Sequence, residues 1–367
     1  MWRRSNNLAI AFWAAAALSW AQPAPFRAVL PEGGPVEFVS ANWGNSAATP
    51  RGGALLVDLH ATLTLRNNSP RRIRAVSLQV VAQELAPGGR GAVTRPGLDV
   101  GPREEFSVRI DMRLMRPLAP QPAVLAEVAL DGVLFDDLTF FGPNRMNARR
   151  TMLAWELEAQ RDRQMLARLL DSGGAEALRA RLLETLARSS AGAMMPVQVV
   201  RGAAPATALE PGRQVELAAL RVPDAPVEVL KGDAHVAGAE VREPRVDISN
   251  RSRRAVRFVE LGWLAPDGAG RWLPAGTLPS EIHLPPGQRA TVRTGARVRF
   301  ARPVDALTVF PTLVEFEDGG VWVPGASAWT QPELRAALPP SGEMMRLAEL
   351  YRKKGLEAVI QQLRPMR

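Results

Sequence analysis

Cysteine is absent from this chain of 367 residues, and histidine and tyrosine are rare, with three and one residues. Without cysteine, the chain forms no disulfide and holds no zinc ion through thiolate ligands. Lysine is scarce as well, since it occurs only at Lys231, Lys353 and Lys354. Packing rather than covalent cross-links must therefore hold the fold, and arginine carries nearly all of the positive charge.

The positive charge is spread along the chain rather than clustered. Lys and Arg total 46 against 37 Asp and Glu, which gives a net charge of +9. Surfaces that bind nucleic acid usually cluster basic residues among aromatic ones. Here the arginines are scattered and often adjoin acidic residues, as at Arg103 and Glu104. We therefore expect solvated charged faces, and nucleic acid is disfavoured as a partner unless the fold gathers the arginines on one face.

The composition is that of a folded protein. Hydrophobic residues make up 46% of the chain and charged residues 23%, which excludes a disordered tail. The length suits two or three domains, each with its own core. The sequence has no nucleophile elbow, phosphate-binding loop, dinucleotide fingerprint or zinc-protease helix motif. It therefore indicates no catalytic residue and no cofactor.

Residues 1–21 have the pattern of a secretory signal peptide. Arg3 and Arg4 give a positively charged start, and residues 8–18 form an unbroken apolar stretch. This stretch is shorter than the roughly 20 residues that cross a bilayer, which favours a cleaved leader over a membrane anchor.

The leader is predicted to be cleaved between Ala21 and Gln22. Ser19 and Ala21 are small residues at the two positions that a signal peptidase recognises. The later sequence contains no apolar stretch of membrane-spanning length, so we expect no transmembrane segment after cleavage. Export without cysteine is typical of a periplasmic or extracellular bacterial protein.

An internal duplication is the strongest pattern in the chain. When residues 166–182 are placed on residues 347–363 without a gap, seven of 17 positions are identical. The same offset of 181 places Phe135 on Phe316. Agreement at one offset between distant segments indicates tandem copies of one unit.

Two further anchors extend the alignment upstream. Asn68 is placed on Asn250 at an offset of 182, and Pro35 on Pro226 at an offset of 191. The larger offset predicts a short insertion in the first copy, near residues 41–53.

Both copies begin with segments that predict β-strands. Residues 55–65 place apolar side chains at every second position, as in a strand with one buried face, and the polar turn Asn67–Pro70 ends it. Turn residues recur every 8 to 12 residues or so, which favours an antiparallel sandwich. The predicted strands are 55–65, 73–81, 106–112, 124–130 and 134–141 in the first copy, and 245–248, 255–263, 290–298, 306–316 and 321–323 in the second, with a possible strand at 214–222.

The apolar period changes to that of a helix after each set of strands. Gly173 and Gly174 interrupt the first helical stretch and Gly355 interrupts the second, so each stretch is predicted to form a helical hairpin. Isolated hairpins of this length are marginally stable. We therefore expect each hairpin to pack on a sandwich or on the other hairpin.

These patterns predict a mainly β fold with appended α-helices: two antiparallel β-sandwiches, each followed by a helical hairpin. The predicted boundaries are 1–21 for the signal peptide, 35–143 for the first sandwich, 144–190 for the first hairpin, 191–225 for a linker, 226–325 for the second sandwich and 331–364 for the second hairpin.

Each sandwich carries a strand, an Asn-x-Ser turn and a second apolar strand in close succession. The segments are LRNNSPRRIRAVSLQV at residues 65–80 and ISNRSRRAVRFVELGW at residues 248–263. This pattern resembles bacterial immunoglobulin-like modules of the FxLYD type, which occur in secreted proteins. The Phe-x-Leu-Tyr-Asp signature is absent, although residues 135–137 and 316–318 take a similar place in a late hairpin. The resemblance covers the two sandwiches and implies an immunoglobulin-like fold without an activity.

The two Asn-x-Ser motifs have two interpretations. Asn67 with Ser69, and Asn250 with Ser252, have the spacing of glycosylation acceptors. Short polar side chains at this spacing also form turns by bonding to the nearby backbone. Pro70 and the bacterial type of leader favour the turn.

Two acidic turns are the candidates for a metal site. They contain Asp136 and Asp137 in the first copy, and Glu317 and Asp318 in the second. Neighbouring carboxylates can share a calcium ion, but calcium usually takes about six or more oxygen ligands and the chain has no EF-hand loop. Paired carboxylates also perform acid and base catalysis when they lie in a cleft. The sequence predicts neither a metal nor a catalytic role for these turns.

Histidine and tryptophan complete the candidate residues. His60, His235 and His283 are unrelated in spacing, and His60 lies opposite the apolar face of its strand, where we expect it to be exposed. Tryptophans in sandwiches are mostly core residues, and a platform that stacks on sugars is the alternative. The chain has nine, among them Trp43, Trp155, Trp263, Trp272, Trp322 and Trp329.

The sequence favours an exported, non-enzymatic protein that binds or assembles with a protein partner in the cell envelope or outside the cell. Exposed strand edges can recruit a strand of another chain. The alternative is an envelope polysaccharide hydrolase, or a carbohydrate-binding accessory to one, with the tryptophans and acidic turns as its site. This alternative requires Asp137 or Asp318 to lie in a tryptophan-lined groove beside a second carboxylate.

Overall fold

A computed structural model describes residues 25–84, 87–118, 124–190, 195, 197–200, 212–267, 270–294 and 297–364. The predicted leader, with its cleavage site between Ala21 and Gln22, lies outside these residues. The described part of the chain is mainly β, as the sequence predicts. Among its helices, none combines the length and the hydrophobicity that crossing a bilayer requires.

The described strands form four sheets. In chain order they are β1 Phe26–Val29, β2 Val36–Asn42, β3 Ala47–Arg51, β4 Ala54–Asn67, β5 Ile73–Val81, β6 Arg90–Arg95, β7 Glu105–Pro117, β8 Ala126–Phe135, β9 Phe140–Phe141, β10 Val197–Val200, β11 Arg213–Glu216, β12 Ala218–Ala219, β13 Val227–Ala237, β14 Glu240–Asn250, β15 Val256–Pro266, β16 Trp272–Leu284, β17 Arg289–Arg293, β18 Arg297–Phe300, β19 Thr308–Phe316 and β20 Val321–Trp322.

Sheet A has the order β1-β8-β5-β6, with β9 beside β8. In sheet B, β4 is central, with β2 and β3 in succession along one edge and β7 along the other. Sheet C has the order β10-β18-β14-β13-β11, with β17 beside β14, and sheet D has the order β12-β19-β15-β16, with β20 beside β19.

The cores consist of side chains from strands in which buried and outward-facing residues alternate, as in β4. Leu59 and Leu63 are fully buried, while Asp58 and Thr62, which directly precede them, face outward. Because every second side chain points to the same face, one set of residues from sheets A and B forms a single apolar cluster. Sheets C and D contribute to a second cluster in the same way.

The strand pairings of sheets A and B recur in sheets C and D. The strands β1 and β12 run parallel to β8 and β19, respectively. β5 lies between β8 and β6 as β15 lies between β19 and β16, and β4 pairs with β7 as β14 pairs with β17 and β18. The single strand β13 pairs with β14 where the two strands β2 and β3 pair with β4. The first half therefore contains extra residues between β2 and β3, in the region where the sequence predicts an insertion.

A buried asparagine closes the same turn in both halves. The Nδ2 of Asn67 donates to the carbonyl oxygens of Arg71, Val100 and Gly101 at 2.8, 3.0 and 3.0 Å, while its Oδ1 accepts from Ser69. These bonds confirm the predicted side-chain turn.

The second half repeats this turn with Asn250. Its Nδ2 donates to the carbonyl oxygen of Arg254 at 2.8 Å, and its Oδ1 accepts from Ser252. The placement of Asn68 on Asn250 is therefore wrong by one residue, because Asn67 is the residue that makes the equivalent bonds.

The two predicted strands 124–130 and 134–141 are also wrong, because β8 is one strand from Ala126 to Phe135. Asp131 and Gly132 resemble a turn in the sequence, but Asp131 is the extra residue of a β-bulge within β8. Its buried carboxylate accepts a bond from the backbone N–H of Met146 at 3.3 Å. Thr312, which lies 181 residues further along, is the extra residue of a bulge in β19.

Residues 191–225 were predicted to form a linker, but the described part of this interval forms strands. It contains β10, β11 and β12, which extend sheets C and D, and Leu217 and Val222 are buried. Edge strands of this kind pair through their backbone, so they need few apolar side chains and leave a weak sequence signal.

The helices are α1 Ala148–Ser190, α2 Pro332–Ala337, α3 Gly342–Lys354 and α4 Leu356–Leu363, with a short 3-10 helix at Ala326–Thr330. α1 breaks at Gly174, with φ 70° and ψ −170°, and Gly355 separates α3 from α4 with φ 81° and ψ 178°. Backbone with positive φ favours glycine, so both predicted breaks occur where glycine is needed.

The C-terminal half of α1 packs against α3 and α4. Leu166, Leu178 and Leu182 share an apolar cluster with Met344 and Leu347. The two helical segments that the sequence relates to each other therefore bury their apolar faces together, which is one of the two arrangements expected for them.

The N-terminal half of α1 lies between sheets A and D. Met152 packs with Ala75 of β5 and Leu134 of β8 in a cluster that also includes Val321 of β20. A helix covered on two sides is buried around most of its circumference, and α1 accordingly buries both apolar and charged side chains.

Replacing Asn67 tests the buried turn. We expect Asn67→Ala to lower the free energy of unfolding by about 2–4 kcal/mol, because it leaves several buried backbone carbonyls without donors. Urea unfolding followed by circular dichroism measures the change. The matched control is Asn68→Ala, since Asn68 is exposed and, among the described residues, its side chain bonds only to Arg103. Equal effects of the two substitutions would contradict the assignment.

Candidate functional site

The acidic turns are exposed hairpin tips. Asp137 accepts bonds from the backbone and the hydroxyl of Thr139 at 3.0 and 2.6 Å and pairs with Arg71 at 3.3 Å. The hydroxyl of Thr139, its backbone N–H and the Arg71 guanidinium together lower the pKa of Asp137. Asp136 is exposed beside it. Arg71 in turn lies 3.8 Å above the ring of Phe135.

The second acidic turn repeats this clamp. Asp318 accepts from Arg254 Nε and from the backbone N–H of Gly320, each at 2.9 Å, and these bonds lower its pKa, Arg254 foremost. Arg254 lies 3.8 Å above the ring of Phe316. Glu317 pairs with the exposed His283 at 2.6 Å. The four candidate carboxylates thus lie at two separate turns. Asp137 and Asp318 each pair with an arginine, and Glu317 pairs with a histidine.

Histidines and tryptophans fall into different environments. His60 is partly buried rather than fully exposed, because its side chain, 40% exposed, pairs with Asp111 at 2.9 Å. His235 is exposed on β13. Trp263 and Trp329 are buried. Trp155 and Trp272 are 42% and 41% exposed, and neither belongs to an acidic turn. Within the described ranges, no three His, Asp or Glu side chains form a group that would hold a metal ion.

Buried ion pairs hold α1 against sheet D. Glu315 of β19 is 1% exposed and accepts from Arg150 of α1 at 2.5 Å and from Arg257 of β15. Arg150 also lies 3.5 Å above the ring of Phe258. A buried carboxylate needs such partners, because an unpaired charge away from water is very costly.

A second buried network holds α1 against α3 and sheet A. Arg163 donates to Glu156 at 2.7 Å and to Glu343 of α3 at 3.2 Å. Glu156 also lies 3.7 Å from Arg74 of β5. Arg163, Glu156 and Glu343 are each less than 9% exposed.

One half-buried carboxyl on α1 has no hydrogen bond in the described structure. Burial raises the pKa of Glu158 to about 7, and the neighbouring Asp162 and Glu260 add to the rise while Arg161 opposes it. This group changes charge near neutral pH, at the interface of α1 with β15.

Two concave surfaces lie where helices meet sheets. The first, which we call the apolar groove, has a volume of about 690 Å³ and lies between the end of α1, α2 and sheet D. Its apolar lining comes from Leu220, Leu264, Trp272, Leu273, Pro332 and Ala336, and its charged lining from Arg188, Arg271 and Glu333. Burial lowers the pKa of Arg188, with Arg181 adding to the effect.

The second surface, which we call the polar cleft, has a volume of about 370 Å³ and lies between β5, the loop after β6, α1, α3 and α4. It is lined by Arg72, Arg74, Arg163 and Arg346, by Asp99 and Glu343, and by Gly97, Leu98, Gln361 and Gln362. Sequence reasoning missed both surfaces, because their residues come from segments that are distant along the chain. Among the residues that the sequence analysis singled out, Trp272 at the start of β16 is the one that lines the groove.

Comparison with known proteins gives no family. No protein-family model matches the chain, and no curated protein matches it.

Solved structures give faint similarities. Red sea bream transglutaminase is 10% identical with a TM-score of 0.13, over 77% of this chain and 29% of that one. A two-domain protein of unknown function from Bacteroides fragilis is 8% identical with a TM-score of 0.16, over 77% and 89%. A structure described as pT26-6p is 9% identical with a TM-score of 0.16, over 89% and 73%. The chain spans less than a third of the transglutaminase, and these scores carry no argument about fold or function.

The pKa of Glu158 predicts a pH-dependent stability. In the folded chain this carboxyl stays protonated up to about pH 7, whereas its ordinary pKa is 4.5, so the folded state loses stability as the pH rises from about 4.5 to about 7. We expect Glu158→Gln to raise the free energy of unfolding by about 1–3 kcal/mol at pH 8 and to leave it unchanged at pH 4.

Urea unfolding at the two pH values measures this difference. The matched control is Glu176→Gln on the same helix, where the side chain is 84% exposed and no pH-dependent gain is expected. A Glu158→Gln protein no more stable than the wild type at pH 8 would show that the carboxyl is not held in its neutral form.

Proposed function

We propose that this chain is an exported, non-enzymatic protein that binds a protein partner in the bacterial envelope or outside the cell. We further propose that it consists of two copies of one unit, each an immunoglobulin-like β-sandwich followed by a helical hairpin. The matching strand pairings, the buried Asn67 and Asn250, and the glycine breaks at Gly174 and Gly355 support the duplication. The leader pattern of residues 1–21 supports export.

The apolar groove is the observation that carries the binding function. Ligand sites are usually concave and mostly apolar, with a few polar groups that orient the ligand. The groove has this character, because leucine, proline and alanine side chains line it together with Trp272, and Arg188 and Arg271 add charged groups to the lining. A tryptophan that is 41% exposed in such a setting is a typical anchor for a protein partner.

The lining indicates what kind of segment the groove takes. Its charged lining consists of two guanidinium groups and the carboxylate of Glu333, and Arg271 is already paired with Asp267 at 2.8 Å. Arg188 already donates to the carbonyl oxygen of Leu338 at 2.7 Å, which holds it in place. A partner segment with an apolar side chain flanked by an acidic one would bury its apolar part against Trp272 and pair its charge with Arg188.

A carbohydrate is the second candidate ligand, and the exposure of Trp272 is the observation that favours it, because sugar rings stack on aromatic faces. The rest of the lining argues for a protein segment, since sugar hydroxyls need hydrogen-bond partners and the apolar side chains of the groove offer none. The acidic turns lie at the exposed clamps described above, outside the residues that line this groove.

Replacing Trp272 tests the proposed function. The tagged wild-type protein is expected to capture a specific protein from an envelope extract, and the purified partner should then bind directly. Trp272→Ala should weaken that binding by about tenfold or more, because it removes a central aromatic anchor. Binding of the purified partner, measured by calorimetry, gives the dissociation constants.

Trp155→Ala is the matched control, since Trp155 is 42% exposed but lies outside the groove on α1. It should bind as tightly as the wild type. Recovery of no protein above the background would count against the proposal, as would equal losses in the two variants. Retention of an envelope glycan that Trp272→Ala abolishes, with no protein captured, would favour the carbohydrate accessory instead.

A further inference from the structure

The polar cleft gathers four guanidinium groups from three parts of the chain. Arg72 lies just before β5 and Arg74 at its start, Arg163 lies in the middle of α1, and Arg346 lies in α3. Arginines repel one another, so such a group is held together only by carboxylates or by an anionic ligand.

The carboxylates of the cleft are each shared between arginines. Asp99 accepts from Arg72 at 3.0 Å and from Arg74 at 2.6 Å. Glu343 accepts from Arg163 at 3.2 Å and from Arg346 at 2.7 Å. Two lining carboxylates therefore serve four lining guanidinium groups, and the cleft keeps an excess of positive charge.

The neighbouring Glu156 only partly offsets this excess. It accepts from Arg163 at 2.7 Å behind the cleft. Burial raises the pKa of Glu156 against the pull of Arg163 and Arg74, so the surroundings disfavour its charged form. It adds at most one negative charge to the two of the cleft lining.

Two guanidinium N–H groups of the cleft lack an acceptor. The Nε atoms of Arg74 and Arg163 are buried and have no hydrogen-bond partner among the described residues. Arg163 is itself 8% exposed. Leaving a buried charged donor unsatisfied is unfavourable, and a negative charge in the cleft would stabilise both guanidinium groups through space.

We propose that the polar cleft binds a small oxyanion, of carboxylate or phosphate chemistry, that bridges β5 to α3 and α4. Arginine forks recognise the paired oxygens of both groups. The volume of about 370 Å³ is that of a site for a small molecule. Gln361 and Gln362 of α4 border the cleft and add amide groups that can bond to the uncharged part of the ligand.

This site is independent of the apolar groove. The two surfaces share no lining residue, so either proposal can fail without the other. An anion bound here would offset the positive charge of Arg72 and Arg74 beside sheet A and of Arg346 on α3. It would therefore stabilise the contact between sheet A and the C-terminal helices.

The test uses inorganic phosphate and citrate as separate probes. Each is titrated into the purified protein at constant ionic strength, with sodium chloride as the balancing salt, and binding is followed by calorimetry and by thermal unfolding. We expect saturable binding of at least one probe with a dissociation constant of about 1 mM or below. Citrate binding alone would assign a carboxylate ligand, and phosphate binding alone a phosphate.

Three variants locate the site. Arg72→Gln and Arg346→Gln should each weaken binding by about tenfold or more, because each removes a charge-assisted fork. Gln362→Glu should weaken it as well, since the new carboxylate would pair with Arg346, to which Gln362 already bonds at 2.7 Å. This third substitution removes no buried partner, so the folded structure should be retained even if an arginine variant unfolds.

Arg352→Gln is the matched control. Arg352 lies on α3 outside the cleft, is 63% exposed and pairs with Glu349 at 2.7 Å, so its loss should leave anion binding unchanged. Absence of saturable binding for both probes up to about 20 mM would overturn the proposal. So would an equal loss of binding in Arg352→Gln, or an equal rise in melting temperature with chloride alone.

Discussion

The placement of α1 between two β-sheets depends on ion pairs that are buried on both of its sides. Toward sheet D, Arg150 meets the buried Glu315, and toward α3 and sheet A, Arg163 meets Glu156 and Glu343. Such pairs add little net stability, since removing charges from water costs about as much as their attraction returns. They do fix position, because a helix that turned or slid would leave several charges buried without partners. The scarcity of lysine fits this role, since the planar guanidinium can bridge two carboxylates at once.

The two concave surfaces depend on the same docking. The apolar groove needs α2 and the end of α1 to lie against sheet D, and the polar cleft needs α3 and α4 to lie against β5. Neither surface belongs to a single sheet or a single helix. A change that loosens α1 would therefore alter both surfaces, even at a distance from them. The half-buried Glu158 at this interface gives the docking a dependence on pH near neutrality.

Local patterns were sufficient to predict much of the fold, but not the sites. Alternation predicted β4 because one of its faces is wholly buried, and the breaks at Gly174 and Gly355 were visible because positive φ demands glycine there. Asp131 misled the prediction of β8, because a bulge and a turn use the same residue types. Strand β10 was missed, and β11 and β12 were predicted only as one possible strand, since edge strands pair through their backbone. The groove and the cleft join segments more than 100 residues apart, and no local period records such contacts.

Hydrogen exchange in increasing urea, measured by mass spectrometry on peptides from β4 and β15, tests most directly whether α1 makes the described parts one cooperative body. These strands are central to sheets B and D and contribute to two different apolar clusters. If the buried ion pairs of α1 unite the structure, the slowest amides of both strands exchange through a single opening, with equal free energy and equal dependence on urea. Separate openings, with one strand exchanging while the other stays protected, would contradict the account.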